Sequence, residues 1–277
     1  MASSVNIKTI YPKYINTIKS SAKKATAELG TRIFIEPTSE KICKKVGINN
    51  ETANCINTIE FLKSTYELIK QKGYKIPKIY ISEEQVPRTH KLTGLQAGDW
   101  NIFGPGKLDI FGLNVVLHEC GHFLHNKSMP WNQPLYAMFC SIRSIFRPFL
   151  NKKERKILTE DYKRAYQEGY FKDLELTNCI KKGYISSKVA DNFRKTPEKF
   201  LVKNAFFNVS EFIAEYFSLA SQGFKFSPEI TKKKVLQNVQ DSKIYIYPTN
   251  FIPHHSMTCQ VLYLVEINYP HFLPKIS

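Results

Sequence analysis

His118 and His122 stand four residues apart, with Glu119 between them, in the stretch Val115-Val116-Leu117-His118-Glu119-Cys120-Gly121-His122-Phe123-Leu124-His125. Residues four apart on a helix lie one above the other. Two imidazoles so placed can reach a single metal ion while the adjacent carboxylate serves as a base, the pattern of a zinc hydrolase helix. In a chain with 7 His the pattern arises by chance at roughly the one-per-cent level. Cys120 projects off the histidine face and reads as a small core residue.

Two histidines do not complete a catalytic zinc site, which uses three protein ligands and a water. The extended form of the motif carries another histidine ten residues after the first, but that position is Ser128. A downstream glutamate is therefore the expected third arm. The stretch Asn208-Val209-Ser210-Glu211-Phe212-Ile213-Ala214-Glu215-Tyr216-Phe217-Ser218 places Glu211 and Glu215 four apart on one helix face, with Ser210 or Asn208 able to cap it. One carboxylate can bind the metal while the other holds a ligand histidine through its second ring nitrogen. His125 reads as a surface or hydrogen-bonding histidine, because one helix rarely presents three ligands to a tetrahedral ion. His90 and His271 have no partner pattern.

These groups need a scaffold. Residues 15–72 read as helical, interrupted by a short strand or extended turn at 32–37, and the alternation in 76–82 predicts a strand. The Gly-punctuated section 92–106 predicts two strands joined by a turn. Residues 97–103 are the candidate for pairing with an extended substrate, against the alternative of an ordinary interior strand. The metal helix is expected to start at 110–113 after Asp109, a permissible N-cap, and to end near Asn126. Gly121 inside it costs about 1 kcal/mol relative to Ala, which suggests close packing there. Residues 130–208 are mostly helical in pattern and could carry specificity, with Thr196-Pro197 as a helix start. The fold class is α+β and mainly helical, with an N-terminal helical part at 1–75 and a catalytic domain at 76–277.

Composition bounds the rest. The 277 residues can bury a full core as one large domain or two small ones. No apolar run suffices to cross a bilayer, since the best, 131–150, is broken by Arg143 and Arg147. The first residues lack an apolar signal core, which predicts a cytoplasmic protein or one exported without a Sec-type signal. Six cysteines without a Cys-x-x-Cys pair argue against a zinc ribbon and a dense disulfide framework. The net charge of +16 favours an acidic partner. The basic clusters at Lys23-Lys24, Lys44-Lys45, 152–156, Lys181-Lys182 and 232–234 are short and scattered, so they read as solvated faces rather than a specific nucleic-acid site.

The two motifs together resemble the gluzincin metallopeptidases, in particular the lethal factor catalytic domain group, over about residues 76–220. That group carries a His-Glu-Phe-Gly-His type motif and a later Asn-x-x-Glu-Phe-Phe-Ala-Glu-x-Phe helix. The resemblance implies a zincin-like fold with a small twisted sheet, Glu211 as third zinc ligand, Glu215 behind it, and a toxin or effector setting. It departs in two places. The interval between the motifs is longer, and Asn204 stands where the group has a tyrosine that assists at the metal or the oxyanion; Tyr184, Tyr216, His254 and His255 are the candidate substitutes.

The function so implied is that of a zinc-dependent metalloendopeptidase acting on a protein or peptide substrate through a zinc-bound water, with Glu119 as proton carrier. The alternative is a catalytically inactive zincin-fold binding module. A nucleic-acid-binding protein rests on net charge alone and predicts steeply salt-sensitive binding.

Overall fold

The structure is a computed structural model that describes residues 7–86, 94–106, 112–128, 150–170, 180, 186–196, 205–206 and 209–231. The chain is α+β and mostly helical, with one four-stranded sheet. It divides into two compact units, Met1–Phe123 and Leu124–Ser277.

In the first unit, α1 (Ile7–Leu29) buries Tyr14, Ile18, Ala22, Ala25 and Leu29, a stripe at steps of three and four residues. It packs on α3 (Ile48–Gln71), whose Cys55, Ile59, Leu62, Tyr66 and Ile69 form the facing stripe. The helix begins earlier than the apolar pattern predicts. Residues 7–13 bury no side chain fully; a hydrogen bond from the Tyr11 hydroxyl to the Thr38 carbonyl, 2.9 Å, holds that end instead. Between the two helices lie β1 (Ile33–Ile35) and α2 (Glu40–Val46).

The sheet is completed by β2 (Lys78–Ile81), β3 (Gly94–Ala97) and β4 (Trp100–Phe103), in the order β1-β2-β4-β3. β1, β2 and β4 run parallel, and β3 pairs antiparallel with β4. The predicted pair of strands is thus a hairpin, turned by Gly98 and Asp99 with Gly98 at φ 57°, a left-handed conformation that glycine adopts without strain. Its order corrects the choice of substrate strand: β4 lies between β2 and β3, so its backbone is already paired on both sides. The edge is β3. Ile33, Ile35, Ile79, Ile81, Asn101 and Phe103 are all buried on one face of this sheet.

The helix that carries His118 and His122, α4 (Gly112–Ser128), starts and stops within two residues of the expected limits. Its first residue abuts α3 closely, since a Cβ on Gly112 would come within 2.9 Å of Phe61 Cζ. Gly121, where close packing was expected, is buried.

The second unit holds the last turns of α4, α5 (Lys152–Gln167), α6 (Ser187–Lys195), α7 (Val209–Ala220) and the single turn α8 (Pro228–Thr231). Asn151 and Glu154 form a reciprocal capping box at the start of α5: the Glu154 amide donates to Asn151 Oδ1 at 3.0 Å, and the Asn151 amide to Glu154 Oε2 at 2.8 Å. Basic residues 152–156 are therefore a helix start whose Lys152, Lys153 and Lys156 are exposed. Lys23-Lys24 and Lys44-Lys45 are exposed as well. Buried Asp161 accepts from the amide and hydroxyl of Ser227 at 2.9 and 2.6 Å and from Arg164 at 2.7 Å, tying α5 to the segment before α8. Thr196 follows α6 and donates through its hydroxyl to the Asn192 carbonyl at 3.0 Å; the helix start expected at Thr196-Pro197 falls, after Thr196, on residues outside the described ones.

Candidate metal centre

Helical spacing delivers the local part of the site. His118 Nε2 and His122 Nε2 lie 3.0 Å apart, with their rings at 83° to each other. Two nitrogens on a tetrahedral zinc, each at about 2.0–2.1 Å, would be about 3.3 Å apart. The side chains thus already converge nearly as an ion would require.

The third group comes from α7. Within the second unit, His125 Nδ1 meets Ser210 Oγ at 3.2 Å, which joins the last turns of α4 to the first turn of α7. Ser210 is the second residue of α7. It therefore acts in the helix, through its hydroxyl, and the other cap candidate, Asn208, lies outside the described residues. Glu211 follows it, and one ligand atom from each of His118, His122 and Glu211 lies within 4.8 Å of the others. All three are half-buried. This group could hold a metal ion, and its donor set, two imidazoles and one carboxylate, suits a first-row divalent cation. A carboxylate in the first turn of a helix is also stabilised by the partial positive charge there.

Of the two candidate carboxylates, Glu211 joins the histidines. Glu215 is instead held from α5, where the buried Tyr162 hydroxyl donates to its Oε2 at 3.1 Å. Burial pushes the Tyr162 hydroxyl well above its usual range, and the neighbouring Glu215 carboxylate adds to the shift. Tyr162 thus keeps its proton and remains a fixed donor. Sequence reading passed over it, because a tyrosine in an apolar stripe carries no sign of the carboxylate it will meet 53 positions later.

His125 is fully buried and hydrogen-bonded, rather than at the surface. Among the described residues it is not part of the metal-competent group. Tyr216, one substitute for the missing tyrosine, is 2% exposed and stacks on Phe226 with ring centroids 4.5 Å apart, so it belongs to the core. Tyr184, Asn204, His254, His255, His90, His271 and Asp109 lie outside the described residues.

Glu119 is 7% exposed and packs against the edge strand. A Cβ on Gly94 would approach Glu119 Cγ at 3.0 Å and its Oε1 at 3.1 Å. A Cβ at that point of β3 would press on this carboxylate by a few tenths of an ångström. Gly94→Ala is expected to leave the melting temperature within a few degrees, since the Glu119 side chain can give by a few tenths of an ångström. On the sequence expectation that Glu119 is the base of a hydrolase, activity should fall at least about tenfold, because misplacement on that scale is felt strongly by reacting groups. Cleavage rate beside thermal unfolding tests this, and unchanged turnover would show that the contact does not position Glu119.

Beneath the helix, Cys120 is buried, as expected, and its thiol is pushed up to about 12 by that burial. Asn101, fully buried on β4, donates through Nδ2 to the Tyr66 hydroxyl at 2.8 Å and to Cys120 Sγ at 3.7 Å. This chain of polar groups fixes the back of α4 on the sheet and on α3, which favours one orientation of the histidine face. The described cysteines Cys43, Cys55 and Cys120 are buried thiols outside any disulfide. No helix among the described residues is long and apolar enough to cross a membrane.

Comparison with protein-family models, curated proteins and solved structures finds no match to this chain.

Proposed function

We propose that the chain is a zinc-dependent metalloendopeptidase of the gluzincin type, with zinc held by His118, His122 and Glu211. The observation that carries this reading is the approach of those three ligand atoms to within 4.8 Å of one another, with the buried Glu119 next to His118 on the same helix. A bound zinc ion supplies Lewis acidity, polarising a carbonyl and lowering the pKa of water to about 7. The protein's part is proton handling and orientation. Glu119 takes the proton from the attacking water and passes it to the departing amine, as a carboxylate in hydrogen-bond reach of both can. Tyr162 fixes Glu215, and the His125–Ser210 bond fixes the turn that carries Glu211.

The edge strand supports a peptide as substrate. β3 is the last strand of the sheet among the described residues, and Gly94 on it packs close to Glu119. A chain adding to that edge in extended form would run beside the base. The test is incubation of the purified chain with a mixed peptide library, with and without a chelator. Cleavage that chelation abolishes and zinc restores is expected. Absence of cleavage by protein containing about one zinc per chain would favour the inactive binding module instead.

A further inference from the structure

The sheet has a second apolar face. By register, Phe34, Tyr80, Ile102 and Leu95 form one row across β1, β2, β4 and β3, and Lys78, Trp100 and Ala97 form the next. A sheet face turned to water normally carries polar side chains. Here Phe34 and Leu95 are 42% and 41% exposed. Phe34, Tyr80 and Trp100 sit in sequence across the strands, with centroids 5.2 and 6.2 Å apart. With Arg32, Ala97 and Ile102 they line a concavity of about 400 Å³. That size falls within the range of small-ligand and side-chain pockets.

Charge identifies what such a pocket would take. Arg32 Cζ lies 5.8 Å and Lys78 Nζ 5.6 Å from the Trp100 ring centroid. Arg32 is exposed, and no carboxylate pairs with it among the described residues. Among the described residues Lys78 pairs with Asp99, at 3.9 Å with both groups about half exposed, a pairing that water screens heavily. The pocket is therefore an apolar seat with two available cations beside it. Two cations do not make a track for a phosphate backbone.

The neighbouring strand identifies the form of the ligand. Leu95 and Ala97 of β3 share this face, whereas Gly94, on the opposite face, packs against Glu119. Side chains of a strand alternate between faces. An extended peptide paired with the β3 edge would thus turn one set of side chains toward Glu119 and the alternate set toward the aromatic face. We infer that this face is a recognition site for an extended acidic peptide segment, seating a large apolar or aromatic side chain beside Trp100 and pairing its flanking carboxylates with Arg32 and Lys78. That the segment is substrate rests on the peptidase reading; the binding itself does not.

The experiment uses the full chain in chelator, which prevents cleavage, and fluorescence anisotropy of a labelled Glu-Glu-Phe-Glu-Glu peptide. Binding is expected, weakened at least tenfold by Arg32→Glu and by Trp100→Ala, and less than twofold by Lys24→Glu on the exposed side of α1. Phe34→Ala, which alters an exposed ring, provides a second apolar variant if Trp100→Ala fails to fold. Lys-Lys-Phe-Lys-Lys and Glu-Glu-Ala-Glu-Glu should each bind at least tenfold more weakly. Equal binding of the basic peptide, or insensitivity to both Arg32→Glu and Phe34→Ala, overturns the inference, as does tighter Trp100-dependent binding of a ten-residue oligothymidylate. Zinc-dependent cleavage without binding at this face would sink this inference alone. Binding at this face by a chain that cleaves no peptide would instead sink the peptidase reading.

Discussion

Replacing Glu119 with glutamine is expected to reduce peptide cleavage by about two to four orders of magnitude, the usual weight of a positioned general base. Zinc content should stay near one per chain. The reasoning separates shape from charge. Glutamine matches glutamate in volume, so the packing of this 7% exposed side chain against Gly94 is kept, while the amide cannot take a proton from water. The metal group, made of His118, His122 and Glu211, is untouched. Turnover is therefore the quantity that moves, and apparent substrate affinity stays close to its starting value. Activity within tenfold of the parent, at full zinc occupancy, would remove Glu119 from the role of base.

The second large effect concerns the metal. Glu211→Ala is expected to weaken zinc binding by more than about a hundredfold and to abolish cleavage, because it removes one of the three proposed ligands. Glu215→Ala should cost about ten- to a hundredfold in affinity or activity, the range found for groups that orient ligands from behind. The structure gives this ordering its basis: Glu211 converges with the histidines, whereas Glu215 accepts from Tyr162 on α5. Competition with a chromophoric chelator measures both affinities. Loss of zinc from the Glu215 variant with retention in the Glu211 variant would reverse the assignment. Loss from both to the same degree would point to general damage to α7, which circular dichroism of the two proteins would reveal.

Several features of the centre were legible from residue spacing. His118 and His122 share a face, and so do Glu211 and Glu215, because the helix repeat is set by hydrogen bonds only four residues long. The limits of α4 were equally local, and the hairpin of β3 and β4 followed from the glycines near its turn. Ser210, by contrast, could be read as a cap from composition alone, yet its hydroxyl is used by His125, 85 positions away in sequence. The choice of 97–103 as the substrate strand failed for a related reason. Alternation indicates that a segment is a strand, but the position of β4 between β2 and β3 depends on which neighbours bury it.

The sequence by itself determined that this chain has a helix with two imidazoles and a carboxylate in metal-binding spacing, a second helix with two acidic candidates, and an α+β pattern to hold them. Tertiary structure decided which glutamate meets the histidines, that Tyr162 holds the other, and that Gly94 gives Glu119 its room. It also brought Phe34, Tyr80 and Trp100 together on one face. The physical reason is range. Helix and strand periodicities arise from contacts between near neighbours, whereas these decisions join residues tens of positions apart through burial and strand register, which leave no mark on the residues nearby.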